Sequence, residues 1–137
     1  MAVVAGRRHA SRLRWYLGSS RGLVARRLRR AGRPGCWVLF AGPELDAAHR
    51  PHLRALLDRT RSSGTRVMVL DLRETEFLSI RVAASLAEIK ADAWRHGIEL
   101  RLVTGGAAAE RALELVGVRQ LFRYYTCVDD AVRPPID

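Results

Sequence analysis

A chain of 137 residues, 48% apolar and 28% charged, is sized for one packed domain and has neither a disordered nor a fibrous composition. Its formal charge of +10 sits at one end: residues 1–35 hold ten Arg and no acid, and the remaining 14 basic residues are balanced by all 14 acidic ones. Arg, Asp or Glu interrupts every apolar run short of the roughly 20 residues a membrane span needs, so no transmembrane segment is expected.

Residues 1–6 are too few for a signal-peptide core, and no apolar stretch follows Arg7-Arg8, so the expected location is the cytoplasm. Residues 1–21 read as a basic, disordered leader, broken by Gly18-Ser19-Ser20 and Arg21-Gly22. The folded domain is expected over residues 22–133, with its core in 36–132 and a short tail at 134–137. Residues 22–28 have the pattern of a strand that turns back through 31–35 into the apolar run Cys36-Trp37-Val38-Leu39-Phe40, which suits a strand covered on both faces.

Residues 46–63 read as a loop and helix, with Pro51 in the first turn, Leu53, Leu56 and Leu57 as the apolar stripe, and Gly64 as the stop. Residues 67–72 form the second strong strand, apolar until Asp71. Val82, Leu86, Ile89 and Ala93 recur at three- and four-residue steps, predicting a helix over 82–96 that ends at Gly97. A third strand over 98–103, a third helix over 107–116 capped at Gly117 and a last strand over 121–127 complete the series. Strands alternating with helices and short loops predict an α/β sheet with parallel neighbours.

Little catalytic chemistry is visible. His9, His49, His52 and His96 have no nucleophile or carboxylate at motif spacing, and His49 with His52 lacks a third metal ligand. Cys36 and Cys127 have the pattern of buried small hydrophobes rather than of a disulfide or a metal site. Gly105-Gly106 is a tight turn before a helix, not a phosphate-binding fingerprint. No nucleophile, base and orienting group come together, so an enzyme is the least supported class and no cofactor or metal is expected. Asp71, at the carboxyl end of a strand, lies where open α/β sheets place binding loops, and Ser79 follows in the next loop. Both also have plain structural roles open to them, Ser79 as a helix cap and Asp71 as an acceptor for loop amides.

In order and wording these segments resemble the STAS family, named for its sulfate transporter and anti-sigma factor antagonist members. The family's pattern is a strand, a Gly-Glu-Leu-Asp turn, a helix, a strand ending Asp-Leu, then Phe, an apolar residue and Asp-Ser-Ser-Gly-Leu. Here those stand as residues 37–40, Glu44-Leu45-Asp46, 53–57, 67–72 and Phe77-Leu78-Ser79-Ile80-Arg81-Val82; residues 97–103, 112–118 and Leu121-Phe122 continue the match. Pro43 in the Gly42-Pro43-Glu44 spelling departs from the pattern of the first loop.

The resemblance implies an α/β fold of the anti-sigma factor antagonist kind: a small, mostly parallel or mixed β-sheet with packed helices. It implies a cytoplasmic, bacterial-type regulator of transcription acting by protein–protein interaction, whose partner is an anti-sigma factor that is also a serine kinase. The family's phosphoacceptor is a serine at the start of the helix, where free N–H groups and the helix dipole favour added negative charge.

In this sequence Ser79 aligns with the aspartate, Ile80 and Arg81 with the two serines and Val82 with the glycine, so neither acceptor position carries a hydroxyl. Arg81 sets a positive charge where phosphorylation would add about two negative ones. Ser79, one or two residues early, is a lesser candidate acceptor. The partner-binding residues implied are Asp46, Asp71, Ser79, Ile80, Arg81 and Val82, with the exposed face of the following helix.

Two expectations follow, an antagonist without the serine switch or a scaffold subunit of another protein complex. A third makes the Arg-rich residues 1–35 an anchor for nucleic acid or anionic membrane. It ranks below the plainer account that scattered Arg without an aromatic platform is common in GC-rich coding sequence.

Overall fold

The computed structural model describes residues 23–30 and 33–133. The expected leader at 1–21 and tail at 134–137 lie outside the described residues, as do positions 31–32 of the expected turn. The elements in chain order are β1 (Leu23–Arg30), β2 (Arg33–Ala41), β3 (Glu44–Leu45), α1 (Arg50–Ser63), β4 (Val67–Asp71), β5 (Phe77–Leu78), α2 (Ile80–Arg95), β6 (Glu99–Val103), α3 (Ala107–Leu115), β7 (Tyr124–Tyr125) and α4 (Val128–Ala131).

Five strands form one sheet in the order β1-β2-β4-β6-β7, with β1 antiparallel to β2 and every other neighbour parallel. The expected hairpin is present, Leu28 facing Cys36 and Leu23 facing Ala41. β3 and β5 pair apart from this sheet as a two-residue parallel ladder.

Period-two alternation divides the strand side chains between two cores. Trp37, Leu39, Met68, Leu70, Leu100 and Leu102 point to one face, where the apolar stripes of α1, α2 and α3 cover them. Cys36, Val38, Val67, Val69 and Val103 point to the other and meet Ala131 of α4 and Val132 just after it. Burial on both faces is why β2 and β4 read as unbroken apolar runs.

Pro51 stands in the first turn of α1, where its missing N–H costs nothing, and Gly64 ends that helix at φ 77. Gly97 follows α2 at φ 76, a left-handed conformation that an L side chain resists.

The carboxyl-terminal part departs from the sequence-based expectation. In place of one strand over 121–127 there is a 3-10 turn at Arg119–Leu121, the two residues of β7, and then α4, capped at Cys127. Phe122 is drawn into the helix-side core, so the chain pairs with β6 only at Tyr124 and Tyr125. Asp129 and Asp130 in the first turn of α4 complement its N-terminal dipole. α4 is tied down by Arg101 of β6, whose side chain is only 2% exposed: Nη1 donates to the carbonyls of Ala131 (2.8 Å) and Arg133 (2.5 Å), and Nη2 to Glu99 (3.0 Å). The guanidinium also lies over the Tyr125 ring.

Candidate functional site

β2 and β4 end side by side, and the segments that follow them are sewn together. The Pro43 carbonyl accepts from the N–H groups of Glu76 (2.7 Å) and Phe77 (2.9 Å), and Thr75 Oγ1 donates to the Gly42 carbonyl at 3.0 Å. Glu44 then pairs with Phe77 and Leu45 with Leu78, and the Ser79 N–H donates to the Leu45 carbonyl at 3.0 Å. Pro43, which departs from the family spelling, thus serves through its carbonyl, the one backbone hydrogen-bonding group a proline keeps.

Parallel register carries the two chains into their helices together. Asp46 follows Leu45 and Ser79 follows Leu78, so these two expected site residues start their segments from adjacent positions. Asp46 caps the 3-10 turn at Ala47–His49: its carboxylate accepts from Ala48 N–H, while His49 Nδ1 accepts from the Asp46 N–H, both at 3.0 Å.

Ser79 caps α2. Its Oγ accepts from the Val82 N–H at 3.1 Å and its carbonyl from the Ala83 N–H at 2.9 Å. The helix therefore starts at Ile80, two residues earlier than its apolar periodicity suggests. Ile80 is 56% exposed, Arg81 is exposed, and Val82 is wholly buried.

Asp71 occupies a different level. It is buried at the end of β4, and Arg73 wraps its carboxylate through the backbone N–H, Nε and Nη2, the last at 2.7 Å. This hydrogen bonding raises the Arg73 pKa above the ordinary guanidinium value. Through Asp71 the loop presents a fixed cation to the surface rather than a free acid.

The residues expected to bind a partner thus fall into two groups. Asp46, Ser79, Ile80 and Arg81 share one surface, whereas Asp71 and Val82 lie beneath it. Sequence reading passed over Phe77, which is 53% exposed beside Ser79. The signal was the alternation in β5, where Leu78 points inward and its neighbour must point out.

No helix among the described residues is long and apolar enough to cross a membrane. Residues 27–131 match the model of the STAS domain. No curated protein sequence matches the chain. Among solved structures, an anti-sigma factor antagonist from Mycobacterium paratuberculosis is similar at a TM-score of 0.59 and 22% identity, covering 80% of this chain and 90% of that one. The anti-sigma factor antagonist SpoIIAA in its unphosphorylated form follows at 0.53 and 10% identity, over 78% of this chain and 92% of that one. A third likeness, to SLC26A9, has a TM-score of 0.58 at 12% identity; it takes in 88% of this chain but 25% of that one. At such identities these likenesses speak for the fold.

Proposed function

The chain belongs to the STAS domain family, and on that premise we propose that it is an anti-sigma factor antagonist-like regulatory protein whose binding is not switched by serine phosphorylation. The surface of Asp46, Phe77, Ser79, Ile80 and Arg81, continued along α2, receives an anti-sigma factor with serine kinase activity or a related regulator. In this reading the protein is a cytoplasmic binding module and not an enzyme, with its domain over residues 22–133.

The observation that carries the reading is the chemistry at the start of α2. The first two helical positions, where the family bears its hydroxyls, hold Ile80 and Arg81, and the nearby Ser79 hydroxyl is engaged as the helix cap. The Ser79 hydroxyl thus serves the start of the helix as its cap. The antagonist structures that share the fold support the choice of partner class.

The test is a pull-down with the full chain, alongside an Ile80→Ser, Arg81→Ser variant, each incubated with radiolabelled ATP. Recovery of an ATP-binding serine kinase by the natural chain without label incorporation supports the reading. Label on the natural chain sinks the claim of insensitivity. Recovery of an unrelated assembly with no kinase favours a scaffold subunit, the role suggested by the likeness to a quarter of SLC26A9.

A further inference from the structure

α2 has two apolar faces. Val82, Leu86, Ile89 and Ala93 are buried against the sheet. On the opposite side Ile80, Ala84, Ala87, Ala91 and Trp94 recur at steps of four, three, four and three, which at 100° per residue keeps them within an arc of about 80°. Ile80 is 56% and Trp94 67% exposed, Ala84 and Ala91 are exposed, and Ala87 is half-buried. This seam has the heptad spacing by which one helix receives another, over about 21 Å. The three alanines let a second backbone come close, and the two large side chains bracket it. Phe77 adds apolar surface where the seam meets the loop.

The charges along the seam select the occupant. Arg81 stands in the first turn of α2, where the helix dipole disfavours a cation, and that turn contains no acid. Among the described residues its guanidinium has no ion-pair partner. At the other end Lys90 lies over the Trp94 ring, and Arg95 beyond it pairs with Asp92. Glu88 and Asp92 are the acids on the Arg81 side of the seam, and Asp92 is engaged by Arg54 and Arg95.

A second copy of the chain fits poorly, because either sense of two-fold helix pairing would set Arg81 against Arg81 or against Arg95. An unpaired cation placed against its own helix dipole departs from the local rules of helix stability, as binding surfaces do when a partner supplies the missing group.

We propose that the exposed seam of α2 receives an amphipathic helix of a partner protein that carries acidic residues beside its apolar stripe, one of them opposite Arg81. The proposal rests on the binding surface assigned above and specifies the chemistry of what docks there.

The experiment uses the isotope-labelled full chain and two designed amphipathic peptides of about three heptads with Leu in the seam, one flanked by Glu and one by Lys. The Glu-flanked peptide should shift the amides of Ala84, Ala87 and Ala91 and the Trp94 indole, and bind roughly tenfold more tightly at low salt than its Lys-flanked counterpart. Arg81→Glu should narrow or reverse that preference. Ala91→Glu, at an exposed helix position that accepts Glu readily, should abolish binding while leaving the thermal unfolding profile in place.

Equal binding of the two peptides overturns the proposal, as do shifts confined to another face. Self-association, or adsorption to phosphatidylglycerol vesicles, that is lost in Ala91→Glu would assign the seam to a second copy or to lipid and overturn it equally. If a recovered anti-sigma kinase binds Ala91→Glu unchanged, the seam proposal fails and the antagonist reading stands. If the Glu-flanked peptide docks on the seam and no kinase is recovered, the antagonist reading fails and the seam stands.

Discussion

Replacing Ser79 separates a helix cap from a phosphoacceptor. The Ser79 hydroxyl accepts from the Val82 N–H at 3.1 Å, and Val82 is fully buried, so water cannot easily replace the lost acceptor. Ser79→Ala should therefore cost about 1–2 kcal/mol, the upper part of the range for cap removal. Ser79→Asp keeps an acceptor at the same place and adds negative charge beside Arg81 and the N-terminal dipole, a gain of about 0.3–1 kcal/mol. In urea unfolding at neutral pH the midpoints should then run Asp at or above wild type, and wild type above Ala, with an unchanged slope. For a domain of this size the Ala variant should melt roughly 4–8 °C lower. A Ser79→Ala chain as stable as wild type, or a Ser79→Asp chain less stable than Ser79→Ala, would refute the cap reasoning.

Arg101→Met keeps much of the apolar stem but removes the donors to Ala131 and Arg133, leaving Glu99, among the described residues, with Arg123 at 3.8 Å; a loss of about 2–4 kcal/mol is expected, and hydrogen exchange should show protection falling first in α4. Arg73→Ala strands the buried Asp71 carboxylate on one backbone N–H and should cost about 2–3 kcal/mol, much of it recovered when Asp71→Asn is added, as a double-mutant cycle would reveal. Hydrogen bonds from Thr104 and then Arg119 hold the Glu110 carboxyl below its ordinary value of 4.5. Its contribution is fully present above that pH and is lost as pH falls through the lower, folded-state value, so Glu110→Gln should lower stability at neutral pH and flatten the acid limb of a stability–pH curve, leaving the slope of the neutral-to-alkaline limb unchanged. Gly64→Ala forces a side chain into φ 77 and should cost about 1 kcal/mol, measured by the same urea unfolding.

Much of the framework is legible along the chain. The unbroken apolar runs in β2 and β4 announced strands buried on both faces. Helical periodicity located α1, α2 and α3, and Gly64, Gly97 and Gly117 marked where they stop, because these are local signals carried by side-chain period and backbone freedom. The resemblance to the family also implies that Ile80 and Arg81 stand at its hydroxyl positions, an expectation that rests on matching short motifs along the chain.

The rest depends on packing between distant segments. β3 and β5 are two residues each, too short to have a period, and they exist because β2 and β4 end side by side and leave the Pro43 carbonyl facing two free N–H groups. α4 is four residues held by a buried arginine from β6, a contact between residues 30 apart that no window along the chain can contain. Asp71 and Asp46 look alike in sequence, yet one is buried against Arg73 and the other is half-exposed beside Ser79. The second apolar face of α2 was spelled out all along as Ile80, Ala84, Ala87, Ala91 and Trp94. Which of two apolar stripes turns toward the sheet is settled by packing against β6, α1 and α3, and that choice leaves the other exposed.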